Sequence, residues 1–451
     1  MSETRENKMG VMPVKKLIIS MSLPMMISML VQAMYNVVDS VFVARLSEDA
    51  LTAVTLAFPM QNLLISFASG TGVGINALLS KSLGEKRFDR ADEAANNGLF
   101  LAILTSVLFF LIGLFGAGPF IGTQIRDAVV QEYGTIYLRI CLCLSFGAIF
   151  QITFERLLQS TGRTFYSMIS QATGALINII FDPILIFGLF GFPKMGVAGA
   201  AAATVLGQMI AGCIGCFLNI RKNEDIHISI PQILRPSGEV IRKIYFVGAP
   251  SILMMSIGSI MTYAMNQILG AFSKTATAVF GVYFKLQSFF FMPVFGLNNG
   301  LIPVLAYNYG ARRSDRIKEA LRFAMALAVC IMLSGTVIFR LFPETLLGMF
   351  NASEDMLLIG VPALKTISLS FGLAGACIAM GSIFQAFSYS YYSLIVSVGR
   401  QLVVLIPAAM FLSTFGDVNL IWWAFPIAEL MSVVLSTFFF LRLYNKTVKT
   451  L

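Results

Sequence analysis

Two aspartates lie where an acid is costly. Asp39, in the run YNVVDS, and Asp182, in NIIFDP, each sit inside a long stretch of apolar residues. An acid at membrane depth costs about 2.5 kcal/mol or more, so such a group marks a functional site by default. Tyr35 is four residues before Asp39, and Asn178 is four before Asp182. On a helix each polar partner therefore shares a face with its acid. Pro183 has no N–H, which leaves the carbonyl of Ile179 without its helical donor. Thr204, in the next apolar run, adds a hydroxyl. Hard oxygens of this kind suit Na⁺, and a pair of carboxyls suits H⁺.

A second set of charges falls late in the chain: Lys285, Arg400 and Glu429, all within apolar runs. Pairing among them lowers their burial cost, and a structural ion-pair network is expected. Gln61 and Gln287 are the uncharged polar candidates for that network or for substrate contact. Glu155 and Arg156 fall near the end of their run and read as interfacial. His227 is the one histidine and lies in a polar loop, which excludes a histidine proton relay. Cys141, Cys143, Cys213, Cys216, Cys330 and Cys377 all lie in apolar runs and read as small apolar residues. No metal cluster, cofactor site, HExxH or Ser–His pairing is present, so an enzyme is not expected.

These residues need elements that hold them in a bilayer. The chain of 451 residues is 57% hydrophobic and 12% charged, with a mean hydropathy of +0.80. A soluble domain is usually about 45–50% apolar and about 25% charged. The apolar surplus recurs in blocks over 16–44, 51–80, 95–118, 135–159, 164–190, 196–220, 242–272, 276–308, 319–342, 355–387, 390–414 and 418–442. Each is long enough for a spanning helix. The blocks are continuous rather than alternating at period two, which excludes a barrel. The polar N-terminus and the long first block exclude a cleaved signal peptide. The expected fold is an all-α integral membrane protein of twelve transmembrane helices. Basic residues gather in the termini and in every second loop, among them Lys86, Arg87, Arg90, Arg312, Arg313 and Arg316; acids such as Asp127, Glu344 and Asp417 occupy the others. That pattern places both termini in the cytoplasm of a plasma (inner) membrane protein. It also explains the net charge of +9 without nucleic acid. With helices starting in the cytoplasm, Asp39 and Asp182 each lie about 25–35 Å along their helix, in the outer half of the membrane.

The chain also contains itself twice. At a fixed offset of 226 residues, LGEKRFDRADEA from Leu83 aligns with YGARRSDRIKEA from Tyr309. The same offset pairs Pro24 with Pro250, Gln61 with Gln287, Gly70 with Gly296 and Gly74 with Gly300. The domains read as 1–220, a linker over 221–241, and 242–451, two six-helix bundles related by a parallel internal repeat. Duplication of this type suits a carrier that works by alternating access. The paired glycines have spacing that lets helices approach closely. The GxxRxDRxxEA loops read as amphipathic turns on the inner leaflet that pair their charges locally. Asp39 faces Met265 across the repeat, and Asp182 faces Ala408. The acids belong to one half, so the coupling site is expected there.

YNVVDSVFVARL, the NxxxDP of the fifth block, the GxxR loops and FPIAE in the last block resemble the multidrug and toxic compound extrusion (MATE) family over about residues 14–445. FKLQSFFFMPVFGLNNGL, from Phe284, resembles its DinF-like and MepA-like bacterial branch. The resemblance implies export of cationic, amphipathic compounds in exchange for H⁺ or Na⁺. It implies an ion site at Asp39, Asn178 and Asp182, with Thr204 less securely placed. Some branches carry an acid in the seventh helix; between Met261 and Gln267 this chain has none. The partners implied are the bilayer and small organic cations, and a monomer is expected. The alternative is a lipid-linked oligosaccharide flippase of the same superfamily, which the acidic first half disfavours. A major-facilitator carrier is disfavoured because GEKRFDRADEA lacks that family's second loop glycine.

Overall fold

The computed structural model describes residues 7–350 and 352–450, with the backbone alone at Glu48 and Lys274. Among the described residues there is no strand. Among the described residues eleven helices are long and apolar enough to cross a membrane, and a pair bent by 45° counts as a twelfth when taken as one span. In chain order the spans are Val14–Ala44, Glu48–Gly84, Phe88–Gly122, the bent pair Ala128–Cys143 and Phe146–Ser160, Thr164–Phe187, Val197–Lys222, Gly238–Gly270, Lys274–Gly310, Ser314–Leu341, Glu354–Ala386, Ser390–Ser413 and Val418–Val448. They match the expected blocks one for one. The fourth departs by breaking at Leu144 and Ser145, where no proline marks the bend.

The duplication is visible in backbone geometry. Ser47 caps the second span by accepting from the Ala50 N–H, and Ser273 caps the eighth by accepting from Ala276. Asp127 and Ser353, also 226 apart, cap the fourth and tenth. Lys86 and Arg312 both take positive φ, at 59° and 55°, in the loops that follow the second and eighth spans. An L-residue is strained there, yet both copies keep the turn. Gly162 and Ser388 repeat the pattern at φ 87° and 66°.

Contacts group the chain into Ile27–Ile252 and a unit made of Met1–Met26 with Leu253–Leu451. In the first unit, a methyl on Gly74 would lie 2.1 Å from the Ile244 carbonyl oxygen, and one on Gly70 2.4 Å from Ile252. In the second, a methyl on Gly300 would lie 2.7 Å from Ser22 Oγ, and one on Gly296 2.6 Å from the Met26 backbone. The repeat glycines thus let the early turns of the seventh and first spans touch the second and eighth.

The two loop motifs do different work. In Ile27–Ile252, Glu85 pairs with Lys81 at 3.9 Å and Arg87 at 3.6 Å. The start of the third span pins the linker: Asp92 Oδ1 accepts from the His227 N–H at 2.7 Å, Asn96 Oδ1 from Ser229 at 2.9 Å, and Asn97 Oδ1 from Ser237 at 2.8 Å. In the other unit the motif grips the short helix Lys8–Val11 instead. Arg313 donates to the Gly10 carbonyl at 2.6 Å, and Arg316 to those of Met9 and Met12 at 3.0 and 2.7 Å. Met9 is wholly buried beneath them.

Candidate functional site

The site of greatest chemical interest lies inside Ile27–Ile252, where the first, second, fourth, fifth and sixth spans meet. Fifth and sixth touch at backbone distance. A methyl on Gly207 would lie 2.5 Å from the Gly174 carbonyl oxygen, and one on Gly174 would lie 2.9 Å from that of Gly207. This approach brings Thr204, a turn before Gly207, against Asn178, a turn after Gly174. With its amide set so that nitrogen faces the acid, Asn178 donates to Asp182 Oδ2 at 3.2 Å. Its oxygen then accepts from the Thr204 N–H at 3.1 Å and the Thr204 hydroxyl at 3.2 Å. Gly207→Ala is expected to wedge these spans apart. Overpacking of this kind costs about 1–3 kcal/mol, read as a lowered Tm in detergent and as loss of transport.

Asp182 is completely buried and Asn178 nearly so, while Asp39 and Tyr35 are half-buried. The Asp39 and Asp182 carboxyls lie within electrostatic range of each other. Each acid also keeps one buried oxygen, Oδ1, with no hydrogen-bond partner among the described residues. Buried acceptors of this kind ask for a donor or a cation. The Tyr35 phenol lies within electrostatic range of both acids and of Glu155.

Sequence reasoning missed part of the cluster. Tyr137 and Cys141, one turn apart on the fourth span, are 3% and 7% exposed. Gln61 donates to the Tyr137 hydroxyl at 3.5 Å. The Cys141 thiol lies within electrostatic range of Asp39. A Tyr–x₃–Cys pair inside an apolar run carries no charge, so no burial cost flagged it. Glu155 and Arg156, near the end of their span, are packed inside the protein, each only 6% exposed. Gln151 donates to Glu155 Oε1 at 3.0 Å, and Arg156 to Gln159 at 3.0 Å. Gly72 makes room for the Arg156 stem, which a methyl there would meet at 2.6 Å.

In the other unit Arg400 Nη1 reaches Glu429 Oε2 at 3.4 Å. Lys285 does not join them: it is exposed, and no ion pair found among the described residues includes it. Gln287 is half-buried on the eighth span.

No group of three or more His, Cys, Asp or Glu able to hold a metal occurs among the described residues. The first-unit cluster offers two carboxyls, each with an open Oδ1, with the Asn178 amide and the Thr204 hydroxyl bonded to each other beside Asp182. Such a set can hold one small cation, H⁺ or Na⁺, by hard oxygens. Apolar spans enclosing a polar cluster define a polytopic membrane protein with a polar site inside its bundle.

Comparisons with known proteins place it further. The MatE family model matches twice, over residues 24–184 and 250–411, which is the repeat found in the sequence. Multidrug export protein MepA of Staphylococcus haemolyticus is 25% identical over 433 residues, covering 96% of this chain and 94% of its own. A FAD transporter of Shewanella oneidensis is 24% identical, with 93% and 92% covered. Among solved structures, the outward-facing conformation of a multidrug resistance MATE family transporter of the MOP superfamily superposes with a TM-score of 0.93, at 25% identity over 99% of both chains. A MOP superfamily transporter of Pyrococcus furiosus, described as having a binding pocket of reverse polarity, gives a TM-score of 0.92 at 25% identity over 99% of both chains. The chain belongs to the MatE family, as its motifs resemble, and is a multi-span membrane transporter rather than an enzyme.

Proposed function

We propose that this protein is a secondary antiporter that exports cationic or amphipathic organic compounds in exchange for H⁺ or Na⁺. The observation that carries the reading is the Asp39–Asp182 pair. Two neighbouring carboxyls, one fully and one half buried, are costly to keep ionised together without a cation between them. The pair is therefore either occupied by one cation or repelled apart. Occupancy differs between two arrangements of the bundle, and that difference is what a coupling ion needs. Asn178 donates to Asp182 and is itself held by Thr204. Tyr35 lies within electrostatic range of both acids.

Substrate binding and ion binding then favour different states, so each lowers the affinity for the other. That is exchange, not cotransport. The loop charges put both termini and the linker on the cytoplasmic side of the cell (inner) membrane, and the protein works as a monomer in the bilayer. The multidrug export proteins among its relatives support the substrate class. Acids at depth in the first half disfavour an anionic, lipid-linked cargo.

Proteoliposomes test the reading. With proton and sodium gradients imposed separately, one of the two is expected to drive accumulation of the organic cation rhodamine 6G. Transport indifferent to both gradients overturns antiport.

A further inference from the structure

The unit containing Leu253–Leu451 holds a second buried acid that the coupling scheme does not use. Glu429, on the twelfth span, is 7% exposed. Its Oε2 meets Arg400, while its Oε1 is buried with no hydrogen-bond partner among the described residues. A structural Arg–carboxylate pair is commonly bidentate, with contacts near 2.8 Å. Here there is one contact, at 3.4 Å, and the arginine side chain remains 29% exposed. The pair is loose enough for Glu429 to change partner. Arg400 stands in a π-helical stretch, Gly399–Leu405, within the eleventh span. Such widened turns recur at functional sites.

What surrounds Glu429 suggests the partner. Phe425 lies one turn before it and Trp422 two turns before, on the same face of the span. The Phe425 ring is 6.0 Å from both Tyr283 and Phe280, and Phe280 is 6.5 Å from Trp422. Tyr283 lies within electrostatic range of both Glu429 and Arg400. A carboxylate oxygen without a donor, set beside aromatic rings, is the chemistry that recognises an organic cation: charge for charge, and ring faces for the delocalised positive group. Across the repeat Glu429 faces Ala203, the neighbour of Thr204. The acid at Glu429 thus has no counterpart in the first half, as Asp39 and Asp182 have none in the second.

We propose that Glu429 is the counter-charge for the cationic group of the substrate, which takes the free Oε1 and competes with Arg400 for the carboxylate while the half-buried Phe425 ring packs on its apolar part. This rests on the antiport reading for its substrate class, but it separates the two duties: the ion is held by Asp39 and Asp182, the cargo by Glu429.

Equilibrium binding of rhodamine 6G to the purified full-length protein, by fluorescence anisotropy without any gradient, tests it. Glu429→Gln is expected to weaken binding by about tenfold or more, while Glu429→Asp, which keeps the charge, loses less than about threefold. Removing both charges with Arg400→Gln and Glu429→Gln together keeps the protein folded even if the single variant unfolds, with Tm as the check. If the pair is only structural, the double variant regains wild-type binding; if Glu429 holds the cargo, it stays weak. Wild-type affinity in the double variant, or no binding by the wild-type protein, overturns the assignment. Loss of gradient-driven transport in Asp39→Asn, alongside unchanged binding in Glu429→Gln, would sink this proposal and leave the coupling reading intact.

Discussion

Asp182→Asn is expected to uncouple transport: gradient-driven accumulation of an organic cation in vesicles falls by about 5–150-fold, the span of a coupling free energy of about 1–3 kcal/mol. Asparagine keeps the shape and still accepts from the Asn178 amide, so the fifth and sixth spans stay together through Gly174 and Gly207. What it removes is the ability to bind and release a cation. Asp39→Asn acts in the same direction. The double substitution is expected to do little more damage than either single one, because the two carboxyls form one site and their effects do not add. Drug efflux from cells with matched protein levels provides the check. Undiminished export in both single variants would end the mechanism. Additive losses would show two separate sites.

Arg316→Met carries the largest expected effect on stability. The guanidinium donates to the carbonyls of Met9 and Met12 and to Asn308 Oδ1, at 3.0, 2.7 and 3.0 Å. Hydrogen bonds from a charged donor contribute about 1.5–3 kcal/mol each, and their loss also leaves acceptors unpaired. Arg316 is itself half-exposed, so the expected cost is about 2–4 kcal/mol, seen as a lower Tm and faster proteolysis near Met9. Arg316→Lys rescues only part of it, since a single ammonium cannot span three acceptors held in the fork of a guanidinium. Equal stability of all three proteins would show that the N-terminal helix Lys8–Val11 is held by other contacts.

The apolar spans were legible because the bilayer demands composition, not detailed packing. Twelve blocks of about twenty apolar residues can be read one by one. The repeat was legible because Gly74/Gly300 and the two arginine loops keep their spacing. Backbone geometry at Lys86 and Arg312 then shows why those loops recur: both copies fold through the same strained turn. Asp39 and Asp182 stood out because ionisable groups are rare at that depth, and their helical neighbours Tyr35 and Asn178 followed from spacing alone.

The rest depended on tertiary contact. Gly207 is one small residue among many, and only its approach to Gly174 explains why Thr204 reaches Asn178. Tyr137 joins the cluster through Gln61, which no local pattern predicts. Glu155 and Arg156 lie near the end of an apolar run, and Gln151 and Gln159 bond them inside the protein. Lys285 is only two residues from Tyr283 in sequence, yet it stays exposed and outside the Arg400–Glu429 pair. The grip of Arg313 and Arg316 on Lys8–Val11 links residues 303 and 307 positions apart.

Everything rests on one exchangeable cation held between two carboxyls in the interior of a helix bundle. The direct measurement is cation release: rhodamine 6G is added to purified protein in weakly buffered, low-sodium solution, while a pH dye and a sodium electrode are read together. About one equivalent of H⁺ or Na⁺ is expected to leave per substrate bound, and none from the protein carrying both Asp39→Asn and Asp182→Asn. Release of the same size from that doubly substituted protein would contradict the account.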